Sequence, residues 1–326
     1  MSPLTRRELL LSLPALAVAR RLLAQAAPLR TRGLHQVTLA VSDVERSLEF
    51  YQRLFGMPVQ ARHGSKVLLR VGDGPGFLAL MPAGADGPRI DHWGIALEDY
   101  NLGRLMSGLE SLGVSRVNGG PGLSGGAMRA RMSARDGIPE VFMGDPDGLV
   151  TQLCDPSYCG GAGMLGDACP LMDDSPFEGD LALRGISHLT INVTDPEVSN
   201  AFYQRVFGFD IQAYQAASPI LGVGAGSDFL MFIGSGNGGA RVNHACFYMD
   251  DFDVERVQGV LERHGITPRE GGGTPPMAHW VSMRMPNRGG APEGTPELYF
   301  SDPDGLSIQL QDPTYCGGGG VLGSVC

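Results

Sequence analysis

Two nearly identical strings, DPDGLVTQLCDP at 145–156 and DPDGLSIQLQDP at 302–313, each place a glutamine in mid-strand, Gln152 and Gln309. Each follows a segment with a glutamate at a matching place, Glu140 in GIPEVF and Glu297 in GTPELY. Four histidines stand in strand-like runs upstream: His35 in GLHQVTLAV, His92 in HWGIAL, His188 in GISHLTINV and His244 in HACFYM. Imidazole nitrogens with amide or carboxylate oxygens hold divalent metals in sites with open coordination positions. The same groups serve as packed, hydrogen-bonded residues of buried strands, which is the default for any one histidine alone. The glutamines are therefore either punctuation of a repeated fold or the third corner of a metal site in which an amide replaces a carboxylate. An amide oxygen brings no negative charge, so such a site would bind its ion more weakly and carry an extra positive charge.

The chain is written twice. GLHQVTLAVSDVERSLEFYQRLFGMPV at 33–59 returns as GISHLTINVTDPEVSNAFYQRVFGFDI at 185–211, and DPSYCGGAGMLGDAC at 155–169 as DPTYCGGGGVLGSVC at 312–326. His35 to His188 spans 153 positions, His92 to His244 152, and Gln152 to Gln309 157. Repetition on this scale gives two domains, 30–169 and 181–326, with PLMDDSPFEGD at 170–180 as linker. Within each, a strand-helix-strands unit occurs twice. HLTINV alternates as a half-buried strand. Asp195 and Pro196 cap and start a helix, Val198, Phe202 and Val206 recur at helical spacing, and Gly208 ends it.

This arrangement resembles the vicinal oxygen chelate superfamily of glyoxalases, bleomycin-resistance proteins and extradiol dioxygenases. Its carriers are the paired starts GLHQVTLAV and GISHLTINV, the helix text FYQRLFG and FYQRVFG, and the closings DPDGLVTQL and DPDGLSIQL. The resemblance implies an α+β fold of two tandem glyoxalase-like domains, each of two paired βαβββ modules forming an open cup. It implies metal ligands on the first strand of each module and on the strand after the DPDG turn: His35, His92 and Gln152 in one cup, His188, His244 and Gln309 in the other. Dioxygenase-type relatives usually carry glutamate at the third position, where both copies here have an amide. Glu140 and Glu297 offer an alternative carboxylate, against an ordinary reading as solvated edge-strand residues. Iron(II) is the ion most in keeping with the resemblance, with Mn, Ni, Cu or Zn suited to the same donors.

Alternation along the strands makes the cups unequal. The second presents His188, Thr190, Asn192, His244, Cys246, Tyr248, Ser307 and Gln309; the first presents His35, Val37, Leu39, His92, Gly94, Ala96, Val150 and Gln152. Chemistry is expected in the polar second cup, with Tyr248 as an acid–base candidate. His264 fits a helix C-terminus, and His279 and Arg284 lie in a segment, 271–296, read as irregular and as a surface loop or a lid over that cup. Four cysteines, Cys159, Cys169, Cys316 and Cys326, lie in the duplicated tails, an even set that favours disulfides. Pairing within each tail and a Cys159–Cys316 bridge both remain open on sequence alone.

The net charge is −10, with Lys66 the only lysine, which gives a nucleic-acid role no electrostatic support. Residues 1–26 resemble a twin-arginine export signal, with Arg6 and Arg7 as the pair, an apolar run too short to span a bilayer, and Ala24-Gln25-Ala26 as cleavage site. An exported, periplasmic or extracellular protein is expected, with no membrane span after processing. Its partner is a small molecule. The leading expectation is a metal-dependent dioxygenase acting on a small aromatic or enolisable chelating compound; the competing ones are a binding or sequestering protein without turnover and a glyoxalase-like lyase or isomerase.

Overall fold

The structure, a computed structural model, describes residues 28–170 and 173–326. The segment read as an export signal lies outside the described residues. No described helix is long and apolar enough to cross a membrane.

The first half runs β1 Thr31–Val41, α1 Val44–Phe55, β2 Val59–His63, β3 Lys66–Arg70, β4 Phe77–Pro82, β5 Arg89–Leu97, α2 Leu102–Ser111, β6 Ser115–Val117, β7 Arg129–Arg135, β8 Ile138–Gly144 and β9 Val150–Cys154. The second repeats it: β10 Leu183–Val193, α3 Pro196–Phe207, β11 Ile211–Gln215, β12 Ser218–Gly222, β13 Phe229–Gly234, β14 Arg241–Met249, α4 Val254–Arg263, β15 Thr267–Pro268, β16 Ala278–Arg284, β17 Thr295–Ser301 and β18 Ser307–Gln311. Each half forms a nine-stranded mixed sheet, ordered β2-β3-β4-β1-β5-β9-β8-β7-β6 in the first and β11-β12-β13-β10-β14-β18-β17-β16-β15 in the second. The first strands of the two modules are neighbours at the centre, as the expected cup requires.

The helix boundaries follow from local chemistry. Asp195 accepts from the amides of Glu197 and Val198, Pro196 opens α3, and Gly208 closes it at φ 68°, a conformation a side chain would resist. The buried face of α3 is Ser199, Phe202, Tyr203, Val206 and Phe207, while Val198 is half exposed. Segment 271–296 is less irregular than expected: β16 occupies its middle, flanked by loop at 271–277 and by the connection from Met285 to Gly294, which holds one short helical turn. His279 therefore sits in a strand, near Glu262 at 3.5 Å. His264 caps α4 and lies 2.7 Å from Asp180, tying the linker to the second half. The tails close on themselves, with sulfurs 2.10 Å apart for Cys159–Cys169 and 1.94 Å for Cys316–Cys326. Cys154 and Cys246 are buried free thiols whose pKa values burial pushes up, which keeps them in the inert thiol form.

One apolar core runs through both halves; each first helix packs on strands of its own half and reaches the other half at particular side chains. Phe50 and Phe55 of α1 meet Phe300 of β17 at centroid distances of 6.2 and 6.1 Å. The DPDG turns supply the polar counterpart, twice. Asp145 and Asp302 each accept two backbone amides of their own turn through Oδ1 at 2.9 Å. Their Oδ2 atoms face Tyr203 and Tyr51 of the opposite half at 3.5 and 3.3 Å. Asp304 accepts the Ser42 amide at 2.8 Å, and Asp147 the Thr194 amide at 2.9 Å. The repeated string is thus the seam that holds the two copies together.

Burial raises the Asp145 carboxyl to about 7 and the Asp302 carboxyl to about 6. Acids raised in the folded state contribute stability that is fully present below the ordinary aspartate pKa and is lost as pH rises through 6 to 7. Urea denaturation of the Asp145→Asn/Asp302→Asn variant should show a smaller loss of stability between pH 5 and pH 8 than the wild type, by on the order of a few kcal/mol. A difference between the two proteins that stays constant with pH would contradict the assignment.

Candidate metal centre

His188 lies on β10 opposite Phe229 of β13 on one side and Cys246 of β14 on the other. Its ring stacks on Phe229 at 4.2 Å, and its Nδ1 is 3.1 Å from Ser187 Oγ. His244 on β14 meets the edge of Tyr299 at 5.2 Å, and its Nδ1 is 2.9 Å from Asn243 Oδ1. The amide oxygen Asn243 Oδ1 can only accept, so Nδ1 of His244 carries the proton; the Ser187 hydroxyl permits the same tautomer for His188. With His188 in that tautomer too, both Nε2 atoms are lone-pair acceptors; in the other, His188 Nε2–H donates to Gln309 Oε1. The two Nε2 atoms stand 3.4 Å apart, and Gln309 Oε1 lies 3.1 Å from that of His188. Two ring nitrogens and an amide oxygen converge, and the Gln309 amide nitrogen is left without a partner.

The spacing suits a cation. Donors about 2.0–2.2 Å from a shared ion are separated by roughly 3.0–3.4 Å in tetrahedral or adjacent octahedral positions. Burial lowers both imidazole pKa values, that of His244 to about 4 and that of His188 well below its ordinary value, with the neighbouring His244 adding to the effect. Neutral imidazole is the form a metal binds. The cavity at this point is about 160 Å³, and its walls include His188, Thr190, Met231, Asn243, His244, Arg288, Glu297, Tyr299 and Gln309.

Two expectations for this half are corrected. Tyr248 is not among the cavity residues: its hydroxyl is 2.7 Å from Ser227 Oγ and 3.3 Å from the Tyr315 carbonyl. Tyr299, directly across from Gln309 in the β17–β18 register, takes the place expected of it. Its ring is stacked on Trp280 at 5.4 Å, and its hydroxyl is 3.4 Å from Glu297 Oε2. Glu297 is neither solvated nor on an edge strand. It is buried, and its Oε1 accepts from Arg284 Nε at 2.8 Å and Tyr315 OH at 3.0 Å. Glu140 repeats the arrangement with Arg135 and Tyr158, at 2.8 and 2.7 Å. Both glutamates are thus committed to arginine and tyrosine, and among the described residues no three His, Cys, Asp or Glu side chains group around a common point.

The first cup differs in kind. Register places Gln36, not His35, opposite Phe77 and Gly94, as His188 is opposite Phe229 and Cys246. The matching distance is 152 positions, and His35 corresponds to Ser187. Gln36 folds over Gly94, where a side chain would collide with it, and its amide nitrogen donates to Gln152 Oε1. His35 turns to Phe77 and Tyr158, at 5.8 and 6.0 Å, and burial lowers its pKa to about 4. Val37 and Leu39 belong to the apolar core rather than the cup. His92 is backed by Asp91 at 2.7 Å, with a free Nε2. The expected set of His35, His92 and Gln152 is therefore not assembled, since a donor occupies the oxygen a metal would need. A wider cleft of about 780 Å³ in this half lies between β2, the β7–β8 turn and the tail, and contains neither His92 nor Gln152.

The profile of the Glyoxalase/Bleomycin resistance protein/Dioxygenase superfamily matches residues 33–153 and 185–310. The chain belongs to this superfamily. Among solved structures, this member of the superfamily is similar to a Mn(II)-bound glyoxalase from Novosphingobium aromaticivorans, with 18% identity over 86% of this chain and 82% of that one, TM-score 0.59. It is also similar to catechol 2,3-dioxygenase, with 16% identity over 86% and 88%, TM-score 0.60. A third is an extradiol ring-cleaving dioxygenase from B. fuscum, with 15% identity over 88% and 74%, TM-score 0.58. At these identities the likeness is one of fold. Comparison with curated protein sequences gave no significant match.

The two Arg–Glu–Tyr clusters should respond unequally to the same change. Arg284 and Glu297 are essentially shielded from water, whereas Arg135 and Glu140 are partly exposed. Arg284→Met should cost about 3–5 kcal/mol in chemical denaturation, because it leaves a buried carboxylate unpaired, and Arg135→Met markedly less. Equal losses would contradict the stated role of burial.

Proposed function

We propose that the second cup is a divalent-metal centre, held by His188 Nε2, His244 Nε2 and Gln309 Oε1, where a small substrate chelates through two neighbouring oxygens. The chain is read as an oxygen-using enzyme of the dioxygenase kind, with iron(II) the favoured ion and Mn, Ni, Cu or Zn able to use the same donors. The observation that carries this reading is the buried convergence of two imidazole nitrogens and an amide oxygen, each able to turn a lone pair to a shared ion. The fold likeness to dioxygenases supports the choice of reaction class. When bound, such an ion supplies Lewis-acid polarisation of the chelated oxygens and, for iron or manganese, one-electron chemistry.

The chain's own residues orient and protect. Trp280 fixes the Tyr299 ring, and burial raises the phenol well above its ordinary pKa, so Tyr299 OH keeps its proton, which it gives to Glu297 Oε2, and its lone pairs are free to accept from a substrate hydroxyl. Glu297, with Arg284 and Tyr315 on one oxygen, holds that hydroxyl from the other. Phe229 and Met231 close the apolar side, and the cavity's small volume leaves little room for bulk water. A second reading, a binding protein without turnover, draws on the lack of a carboxylate donor; a glyoxalase-like lyase or isomerase would use the same centre.

Elemental mass spectrometry after purification without chelator and resupply of iron or zinc should find about one metal per chain. His188→Ala or His244→Ala should lower this at least tenfold. Gln36→His should raise it to about two, because it gives the first cup the donor set of the second and frees Gln152 Oε1. Wild-type content near zero would overturn the metal reading; an unchanged value for Gln36→His would overturn the account of the first cup.

A further inference from the structure

The second cup carries a feature the first lacks. Between Arg284 and Thr295 the chain inserts ten residues, 285–294, where the first half has the two-residue turn Asp136-Gly137 between Arg135 and Ile138. The insertion is pinned to the fold. Arg284 Nη1 donates to the Gly289 carbonyl at 3.0 Å, the Ala291 amide to Thr295 Oγ1 at 3.1 Å, and Thr295 Oγ1 to the Gly320 carbonyl at 2.7 Å. A single helical turn, Pro286–Arg288, brings Arg288 into the cavity wall, where it is exposed on its outer side. Among the described residues no carboxylate pairs with Arg288.

Charge within the cavity gives that arginine a use. The three converging donors are neutral, and the only carboxylate in the wall, Glu297, is already balanced by Arg284. A divalent ion there would carry its full charge into a buried site, which is costly unless a ligand brings negative charge with it. A guanidinium at the mouth attracts such a ligand and can hold a planar carboxylate through two hydrogen bonds.

We propose that Arg288 is the specificity-determining residue of the second cup, where it holds a carboxylate carried by the chelating substrate, so that the site takes small organic anions in preference to neutral diols. The proposal rests on the metal reading above. It assigns the insertion a purpose: the loop adds a charged recognition point to the one copy whose donors converge.

Calorimetric titration of zinc-loaded protein with catechol and with 3,4-dihydroxybenzoate separates the contributions, because the two probes share a chelating diol and differ in one carboxylate. Wild type should bind the carboxylated probe at least tenfold more tightly. Arg288→Gln should bring that preference below twofold with zinc stoichiometry unchanged, and Arg288→Lys should retain part of it. Zinc bound without any preference in the wild type, or with a preference that survives in Arg288→Gln, would overturn the role of Arg288 and leave the metal reading standing. No zinc at the second cup would overturn both.

Discussion

Two imidazole nitrogens and an amide oxygen face one another inside a buried cup, and with both histidines protonated on Nδ1 no protein donor lies among them. Buried acceptors left to confront each other are costly, which makes this cluster either a persistent strain in the fold or a place prepared for a positive charge. The surroundings argue for preparation. Each histidine has its outer nitrogen engaged by the residue before it, Ser187 or Asn243, which aims the inner nitrogens at a common point. The rings are clamped by Phe229 and Tyr299. The carboxylate in the cavity wall, Glu297, is paired with Arg284, so the centre itself carries no charge.

The duplicated architecture makes this geometry possible and also explains why it occurs once. The two halves share one apolar core, and each DPDG turn ties the two copies across the seam, so neither cup is an independent module. Within that frame the copies have diverged at single positions. Gln36 stands where the second copy has His188, Gly94 where it has Cys246, and Asp91 where it has Asn243. The first two changes let an amide lie flat across the first cup and donate to Gln152, turning a set of converging acceptors into a closed hydrogen bond.

Much of this was legible in the residues themselves. The repeats, the strand-helix-strands order, the caps at Asp195 and Gly208, and the candidates His188, His244 and Gln309 follow from pattern and resemblance. His35 misled because a histidine one position from the true match looks equivalent in one dimension, while a shift of one residue along a strand changes what it faces. A register irregularity between Leu34 and Gln36 adds to the ambiguity. Aligning Gly33 with Gly185 was the signal that resolves it. Repetition singled out Glu297, but its pairing with Arg284 and the place of Tyr299 depend on which strands are neighbours, and Arg288 sits in an insertion with no counterpart to compare.

The claim on which the account turns is the position of the ion. An anomalous-difference map from a crystal soaked in manganese or zinc, collected at the absorption edge, tests it most directly. The account predicts a single strong peak bonded to His188 Nε2, His244 Nε2 and Gln309 Oε1, and none beside Gln152. Absence of density at the second cup, with the Gln309 side chain turned away from the two imidazoles, would contradict it.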